Sequence, residues 1–547
     1  MSAETENGSL LFEFVAKSGL DIRNRRAILD GSRDGWDTST WYGSDVRTTW
    51  LSVSCLAICA CASEASAPNG IAGGGGSAGS SSPSAGAGGA LAGRAGISAS
   101  GGASAGNANG GSASGASGSS AGGTSGGGTS ASAGVGGSGS AAAGMGGAAG
   151  SAGTAGGNDA ESADAITQLR NYLAITRGQR SPLSEQSFAT VPLTKSDAGV
   201  AQELLWDDHA TLIRSTREME SDEKAITIAD KTLRYDFRKF GAAPPSGASL
   251  YISLHGGGEA DPSVNDEQWE NQKILYEPDE GIYLAPRAPT NTWNLWHEAH
   301  IDPLLARLIE NLIVLEGVDS NRVYVMGYSA GGDGVYQLGP RMADSWAAAA
   351  MMAGHPNDAK PDSLRNLGFT IHVGALDTAY DRNLIAGEWG EQLDALEAAD
   401  PEGYAHEVEV HAGKPHWMDL EDAVAVPWMA DFTRNPTPKR VVWLQDDVPH
   451  QRFYWLAVPN GEARQGTKVV ASVEEQTISL EVTGLENLRV RLSDALVDLD
   501  QPVTIRAGET TLFTGSSDRT ILNLAETMAE RGDPALTFPA EVVVELP

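Results

Sequence analysis

After Asp159, apolar and polar residues follow two different periods along the chain. Apolar residues three or four positions apart predict helices over 165–176 and 199–218, and alternation in 224–239 predicts two short strands. Short apolar runs then alternate with helical segments. The predicted strands are 249–254, 281–285, 322–326, 347–351 and 369–373, and the predicted helices between them are 301–315, 330–342 and 384–399. This alternation predicts an α/β fold with a doubly wound, mostly parallel sheet.

The pattern changes after Pro436 to strands and turns. The predicted strands are 440–444, 453–458, 478–482, 488–492, 502–506 and 542–546, with one helix over about 519–531. We therefore predict a small, separate β-rich domain over 436–547. No residue pattern in it indicates a particular chemistry.

The clearest chemical signal follows the predicted strand 322–326. The sequence Gly327-Tyr328-Ser329-Ala330-Gly331 leads from that strand into a predicted helix. A Gly-x-Ser-x-Gly motif between a strand and a helix is typical of the nucleophile elbow, in which the serine stands on a strained turn. The positive end of the following helix then faces the developing oxyanion. Ser329 is the predicted nucleophile.

A glycine-rich loop follows the predicted strand 249–254. It reads His255-Gly256-Gly257-Gly258. Such a loop supplies backbone N–H groups to an oxyanion hole, because glycine lets the main chain approach a substrate carbonyl closely. The predicted donors are Gly257 or Gly258, together with Ala330.

A serine nucleophile of this kind needs an acid and a histidine later in the chain. Asp377 follows the predicted strand 369–373, and Asp381 lies on the same loop as an alternative acid. His416 follows a strand that ends near His411, so it is the predicted base. It would take the proton of Ser329 while Asp377 holds its tautomer.

Five further residues are candidate substrate contacts. They are His255, Trp293, Trp296, His297 and His355. His355 follows the strand after the nucleophile helix, so we expect it to line the cleft. The cluster around Trp293 is either a substrate-binding wall or interior packing, and both interpretations stay open.

The segment 46–61 predicts a lipoprotein-type signal sequence. It is apolar and uncharged from Trp50 to Cys61, behind Arg47. It is shorter than the roughly 20 apolar residues that a membrane-spanning helix needs. Its end, Ile58-Cys59-Ala60-Cys61, resembles a bacterial lipobox and predicts lipidation at Cys61. Residues 1–45 are interpreted as a misassigned extension before a start near Val46; the alternative is a small N-terminal domain that buries this run.

Residues 62–158 are almost wholly Gly, Ala and Ser with a little Thr. Such a chain cannot bury enough apolar surface to offset the entropy of ordering it, so the segment is a predicted flexible stalk. The catalytic domain is predicted over 159–435, with a helical segment at its start.

Charge and cysteine content exclude several classes of site. The chain has 38 Lys and Arg against 71 Asp and Glu, a net charge of −33, which disfavours nucleic acid as a partner. All three cysteines, Cys55, Cys59 and Cys61, precede the stalk, so the folded part has no disulfide and no thiolate metal site. Neither a metal nor an organic cofactor is implied.

Taken together, these motifs resemble those of the α/β-hydrolase superfamily. Within it, the chain resembles secreted esterases of the feruloyl esterase and polyhydroxybutyrate depolymerase type, and also prolyl oligopeptidase-like catalytic domains. The resemblance covers about 233–431 and implies Ser329, Asp377 and His416 as the triad. The Asp residue after Gly-Tyr-Ser-Ala-Gly-Gly and the loop 377–381 depart from the commoner pattern.

The predicted function is therefore hydrolysis of a small-molecule or polymer ester by a serine hydrolase. The expected location is extracellular or at the cell surface, on a lipid anchor in a bacterial membrane, which is the only membrane contact predicted. One alternative is a serine peptidase, although the β-propeller usual in such peptidases is not visible in the sequence. Another is a catalytically inert surface-binding protein on the same scaffold. The sequence does not indicate an oligomeric state.

Overall fold

The structure of the protein is a computed structural model that describes residues 159–547. The segments 1–45, 46–61 and 62–158, and with them the predicted lipidation site Cys61, lie outside the described residues and stay predictions. Within 159–547, no helix is both long enough and apolar enough to cross a membrane.

Helices and strands alternate over the first two thirds of the described chain. The helices are α1 (Asp159–Ala174), α2 (Lys195–Asp222), α3 (Pro262–Gln272), α4 (Ile301–Glu316), α5 (Ala330–Arg341), α6 (Arg382–Ala399), α7 (Ala425–Ala430) and, near the C-terminus, α8 (Ile521–Arg531). The strands here are β1 (Ala225–Ile228), β2 (Lys231–Phe240), β3 (Ala248–Leu254), β4 (Gly281–Arg287), β5 (Val318–Tyr328), β6 (Ala348–Met352), β7 (Gly368–Gly374) and β8 (His406–His411).

These eight strands form one twisted layer in the order β1-β2-β4-β3-β5-β6-β7-β8. The pairs β1–β2 and β2–β4 are antiparallel, and every other neighbouring pair is parallel. The predicted α/β fold with a mostly parallel sheet is confirmed. Because β3 and β5 to β8 run in the same direction, the loops after them meet at one edge of the sheet.

Both faces of the sheet are buried, which explains why its strands read as continuous apolar runs. Along β3, Leu250 and Ile252 belong to one apolar cluster while Tyr251 belongs to a second. Along β5, Val325 and Tyr324 divide between the same two clusters. Successive side chains of a strand point to opposite faces, so the two clusters lie on the two sides of the sheet. Helices α4, α5 and α6 contribute to the first cluster and α7 to the second.

The chain after Pro436 is rich in strands, as the pattern predicted. They are β9 (Arg440–Leu444), β10 (Arg452–Phe453), β11 (Leu456–Ala457), β12 (Lys468–Glu474), β13 (Thr477–Thr483), β14 (Asn487–Leu492), β15 (Val503–Ala507), β16 (Thr510–Gly515) and β17 (Ala540–Glu545). They form a five-stranded sheet, β16-β15-β13-β12-β9, and a four-stranded sheet, β10-β11-β14-β17. Residues 159–547 all fall in one compact unit, so a separate domain over 436–547 stays a prediction.

The pattern misjudged several elements. The predicted strand 453–458 is instead the short hairpin β10–β11, because Tyr454 takes a positive φ of 51° and turns the chain. The sequence pattern did not predict strands β12 and β16 or helix α3. Helix α3 was missed because it has no apolar stripe: its buried residues are Asn265 and Gln272.

Helices α1 and α2 pack against α8, near the other end of the described chain. Leu169, Leu205 and Leu524, one from each helix, are buried in the same apolar cluster. The Thr194 side chain caps α2 by accepting a hydrogen bond of 3.1 Å from the Asp197 N–H. This cap fixes where α2 begins.

We expect Thr194→Ala to lower the free energy of unfolding by about 1 kcal/mol, because the substitution leaves a helix N–H without its acceptor. Urea denaturation followed by circular dichroism measures the change. Thr216→Ala is the matched control, since Thr216 is exposed within α2 and its hydroxyl only donates to the Leu212 carbonyl. We expect less than about 0.5 kcal/mol there. Equal losses in the two variants would contradict the role of the cap.

Candidate active site

Ser329 stands on a strained turn between β5 and α5. Its backbone has φ 59° and ψ −122°, a conformation that non-glycine residues rarely adopt. A Cβ on Gly327 would lie 2.3 Å from the Gly331 carbonyl oxygen, and one on Gly331 would lie 2.0 Å from the Leu254 carbonyl oxygen. Only glycine fits at these two positions, so the motif is required by the close approach of β3, β5 and α5. The Ser329 N–H donates to the Met352 carbonyl at 2.9 Å.

Ser329, His416 and Asp377 form a continuous chain of hydrogen bonds. His416 Nε2 lies 3.0 Å from Ser329 Oγ, and His416 Nδ1 lies 2.7 Å from Asp377 Oδ2. A carboxylate only accepts, so Nδ1 carries the proton and Nε2 is free to accept one from the serine. The three residues come from the loops after β5, β7 and β8, at one edge of the sheet.

The structure distinguishes between the two candidate acids. Asp377 is 2% exposed and contacts His416, whereas Asp381 is exposed at the start of α6. The Asn383 N–H donates to the backbone carbonyl of Asp377 at 3.1 Å. The Arg382 guanidinium lies 3.6 Å from Asp377 Oδ1, the carboxylate oxygen that does not contact His416. Asp377 is thus held in place from both its backbone and its side chain.

The Tyr328 hydroxyl fixes the loop that carries His416. It donates to the His416 carbonyl at 2.6 Å and accepts from the Met418 N–H at 3.0 Å. Burial raises the pKa of Tyr328, so the phenol keeps its proton. The sequence identified Tyr328 only as a spacer within the motif. Its position directly before the nucleophile, with a hydroxyl on a large ring, was the available signal.

The glycine loop after β3 lies against the nucleophile. A Cβ on Gly256 would lie 3.2 Å from Ser329 Cβ. The Gly258 N–H donates to Asn265 Oδ1 at 2.9 Å, so of the two alternative donors in this loop the structure favours Gly257. Among the described residues, no acceptor is bonded to the Gly257 N–H, and Gly257 has φ 109°. The remaining candidate donors are therefore Gly257 and Ala330, the first residue of α5.

Asn265 on α3 positions this loop, and the sequence gave no signal for it. The side chain is fully buried and donates to the Ala260 carbonyl at 3.1 Å while it accepts from Gly258. The same amide therefore links both ends of the turn between β3 and α3.

Two predicted substrate contacts are structural instead. His255 is completely buried: its Nδ1 donates to the Gly256 carbonyl at 2.6 Å, and its Nε2 accepts from the Ala288 N–H at 3.1 Å. Burial lowers the pKa of His255 to about 3, so the ring is neutral. Trp296 is 1% exposed and donates to the His255 carbonyl at 2.9 Å. Because neither side chain reaches the surface, the structure favours interior packing over substrate contact for both, and for Trp296 packing was one of the two interpretations left open.

The other predicted contacts differ in how far they reach the surface. Trp293 is 56% exposed and meets His297 edge-on, with ring centroids 5.5 Å apart. His297 is buried, and burial lowers its pKa to about 4. His355 is partly exposed, with Nδ1 accepting from the Asn357 N–H at 2.9 Å. Trp293 and His355 are therefore open to a ligand, and their roles stay predictions.

Asp333 adds an acidic group one turn after the nucleophile on α5. Its Oδ1 accepts a hydrogen bond of 2.6 Å from the His355 N–H. Burial raises the pKa of this carboxyl to about 6, against the opposing influence of that hydrogen bond and of Arg382 and His416. A residue four positions after Ser329 lies on the same face of the helix.

One group within 159–547 brings three metal-ligating side chains together. Its members are Asp394, Glu397 and His406, with their ligand atoms within 4.8 Å of one another. His406 begins β8, whereas His416 follows the other end of that strand. The group therefore lies at the opposite sheet edge, roughly 16 Å away along the strand, and takes no part in the triad.

Comparison with known proteins gives only weak likenesses. No protein-family model matches the chain, and no curated protein matches it. A total of 652 solved chains resemble part of it. One, a thermostable esterase, is 19% identical with a TM-score of 0.28, and the match covers 38% of this chain and 62% of that one. The chain thus spans less than two thirds of that structure.

For two other solved structures, the match covers a larger share of the matched chain. Esterase PE8 is 19% identical with a TM-score of 0.26, and the match covers 36% of this chain and 98% of that one. LpqC, a poly(3-hydroxybutyrate) depolymerase from Bordetella parapertussis, is 17% identical with a TM-score of 0.27, covering 38% and 87%. Likeness this weak carries neither an activity nor a substrate over to this chain.

We expect Asp333→Asn to stabilise the protein above about pH 6. The raised pKa means that the folded state binds more protons than the unfolded state between about pH 4 and pH 6, so this carboxyl costs stability as pH rises through that window. Asparagine keeps the acceptor for the His355 N–H and removes the charge. Urea denaturation at about pH 8 should show a gain of roughly 1–2 kcal/mol, after allowance for solvent screening.

The gain from Asp333→Asn should shrink as the pH falls toward about pH 4, where the wild-type carboxyl is also neutral. A gain that is the same at every pH would contradict the raised pKa. Asp431→Asn, on an exposed carboxylate directly after α7, is the control for a change of one charge.

Proposed function

We propose that the protein is a serine hydrolase that cleaves carboxylic esters through an acyl-enzyme on Ser329. The observation that carries the proposal is the chain from Ser329 Oγ through His416 to the buried Asp377, at 3.0 and 2.7 Å. A buried acid, a histidine with a defined tautomer and a serine on a strained elbow form the arrangement that nucleophilic acyl transfer needs.

In the proposed reaction, His416 Nε2 accepts the proton of Ser329 Oγ as the oxygen attacks the ester carbonyl carbon. The negative charge on the carbonyl oxygen is stabilised by the N–H groups of Gly257 and Ala330 and by the N-terminus of α5. The tetrahedral intermediate collapses, the alcohol leaves with the proton held by His416, and the acyl group stays on Ser329. Water then gives up a proton to His416 as it attacks the acyl carbon. The second tetrahedral intermediate collapses with cleavage of the bond to Ser329 Oγ, which takes back the proton from His416, and the carboxylic acid is released.

The N-terminal sequence supports a location outside the cytoplasm. The lipobox-like end at Cys61 and the Gly/Ala/Ser-rich segment 62–158 together would tether and space an enzyme from a bacterial membrane. The proposed substrate is accordingly an ester, small or polymeric, that meets the enzyme at the cell surface.

We expect Ser329→Ala to lower kcat for p-nitrophenyl ester hydrolysis on the order of 10⁴-fold or more, because the variant has no nucleophile. Ser215→Ala, at an exposed position of α2, is the matched control and should keep full activity. The full-length chain should also be labelled by a fluorophosphonate probe, and the Ser329→Ala variant should not. A wild-type chain that neither hydrolyses esters nor accepts the probe would exclude the proposal and leave an inert binding protein. Cleavage of p-nitroanilides in preference to esters would indicate a peptidase.

The neighbouring carboxylates allow a second test. We expect Asp377→Asn to reduce kcat by about 10⁴-fold, because asparagine donates to His416 and favours the wrong tautomer. Asp381→Asn removes the same charge four residues away and should change kcat by less than about threefold, because Asp381 makes no contact with His416. The reverse order of effects would assign the acid to Asp381 and contradict the geometry.

A further inference from the structure

A second concave site lies away from the triad, between α4 and the segments that surround β10 and the end of α8. It is a cavity of about 400 Å³, open to solvent, with Met342 and Asp344 in its wall. Both follow the C-terminal end of α5, whose N-terminus carries Ser329. The 12 residues of α5 place the cavity about 18 Å from the nucleophile.

The acidic side chains in the cavity wall are already neutralised. Each has at least one basic partner among the described residues. The pairs are Asp302 with Arg341 at 2.7 Å and His450 at 2.6 Å, Glu310 with His209 at 2.7 Å and with Arg217, Asp344 with Arg531, and Asp533 with Arg434 at 2.7 Å. No acid in the wall is left to neutralise a further cation.

Arg452 is that further cation. It lines the cavity, and within 159–547 its guanidinium makes no hydrogen bond and no ion pair, although the charges of Glu530 and Asp344 act on it from further away. Burial lowers the pKa of Arg452 to about 10, which leaves it charged at neutral pH. An unpaired, partly buried charge is costly, and an anion bound to the Arg452 guanidinium would offset that cost.

The remainder of the wall is largely apolar. Ala306, Ile309 and Ile313 contribute one side from α4, and Met342 and Leu536 contribute further apolar surface. Inorganic anions gain nothing from such a wall, whereas an organic acid with a short apolar body can bury that body there. The volume is at the lower end of the range for small-molecule sites.

We propose that this cavity binds a small organic carboxylate, with its carboxylate on Arg452 and its apolar body against the α4 wall. The bound carboxylate would complete the pairing of charges in the cavity. The site is independent of the proposed hydrolase activity, because it shares no residue with the triad or with the glycine loop.

Isothermal titration of the full-length protein with hexanoate, compared with inorganic phosphate, tests the proposal. We expect one hexanoate per chain, and phosphate at least tenfold weaker. Arg452→Gln should weaken hexanoate binding by about tenfold or more, the loss expected for a charge-assisted hydrogen bond. Arg506→Gln, at an exposed position of β15, changes the net charge equally and should leave the affinity unchanged.

A second variant covers the case in which Arg452→Gln disturbs folding. Ala306→Trp fills the cavity from an exposed position on α4 and should also abolish binding, with Arg452 intact. His416→Ala removes a triad residue and should leave hexanoate binding unchanged.

Three outcomes would overturn the proposal. They are the absence of hexanoate binding, loss of binding in His416→Ala with retention in Arg452→Gln, and phosphate binding as tight as hexanoate. The second outcome would move the hexanoate to the triad, and the third would leave an anion site without preference for an apolar body. None of them bears on whether Ser329 hydrolyses esters.

Discussion

The tight turn at Ser329 is the constraint on which the rest of the site depends. A positive φ at a serine costs on the order of 1–3 kcal/mol, so it persists only where its surroundings enforce it. Here the chain turns at once from β5 into α5, and α5 begins against the Leu254 carbonyl of β3. This is sterically possible because Gly327 and Gly331 have no side chains. The strain lifts Ser329 Oγ above the sheet edge and points the first N–H groups of α5 toward the same place.

The other segments of the site all follow parallel strands that end at the same edge of the sheet. The glycine loop follows β3, Asp377 follows β7 and His416 follows β8, so the strand order alone brings these segments near Ser329. Strand order does not set distances to within an ångström. Hydrogen bonds between loops do so: Tyr328 holds the His416 loop, and Asn265 holds the glycine loop. A site supported in this way is preorganised rather than assembled by a ligand.

The arrangement of Ser329, Asp377 and His416 was predictable from the sequence because each of them follows a strand with a strong apolar pattern. The supporting residues were not. Asn265 lies on α3, a helix without an apolar stripe, and its contact with Gly258 depends on where that helix packs. His255 was assigned to the cleft for a related reason: a histidine beside a glycine loop can face the cleft or the interior, and only packing decides. Periodicity gives the element and its buried face, but not which polar atom meets which backbone group.

Secondary structure changes at Pro436 from alternating helices and strands to mostly strands. Buried ion pairs nevertheless join the residues before Pro436 to those after it. Arg434 pairs with Asp533, and Asp344 pairs with Arg531, so both pairs join the α/β part to the segment around α8. Removing one partner of a buried ion pair typically costs about 3–5 kcal/mol, since it leaves the other charge unpaired. A chain cut after Asn435 would leave Asp344 and Arg434 in that state, and it would also remove α8 from the apolar cluster that it shares with α1 and α2. The strands after Pro436 therefore stabilise the α/β part of the chain.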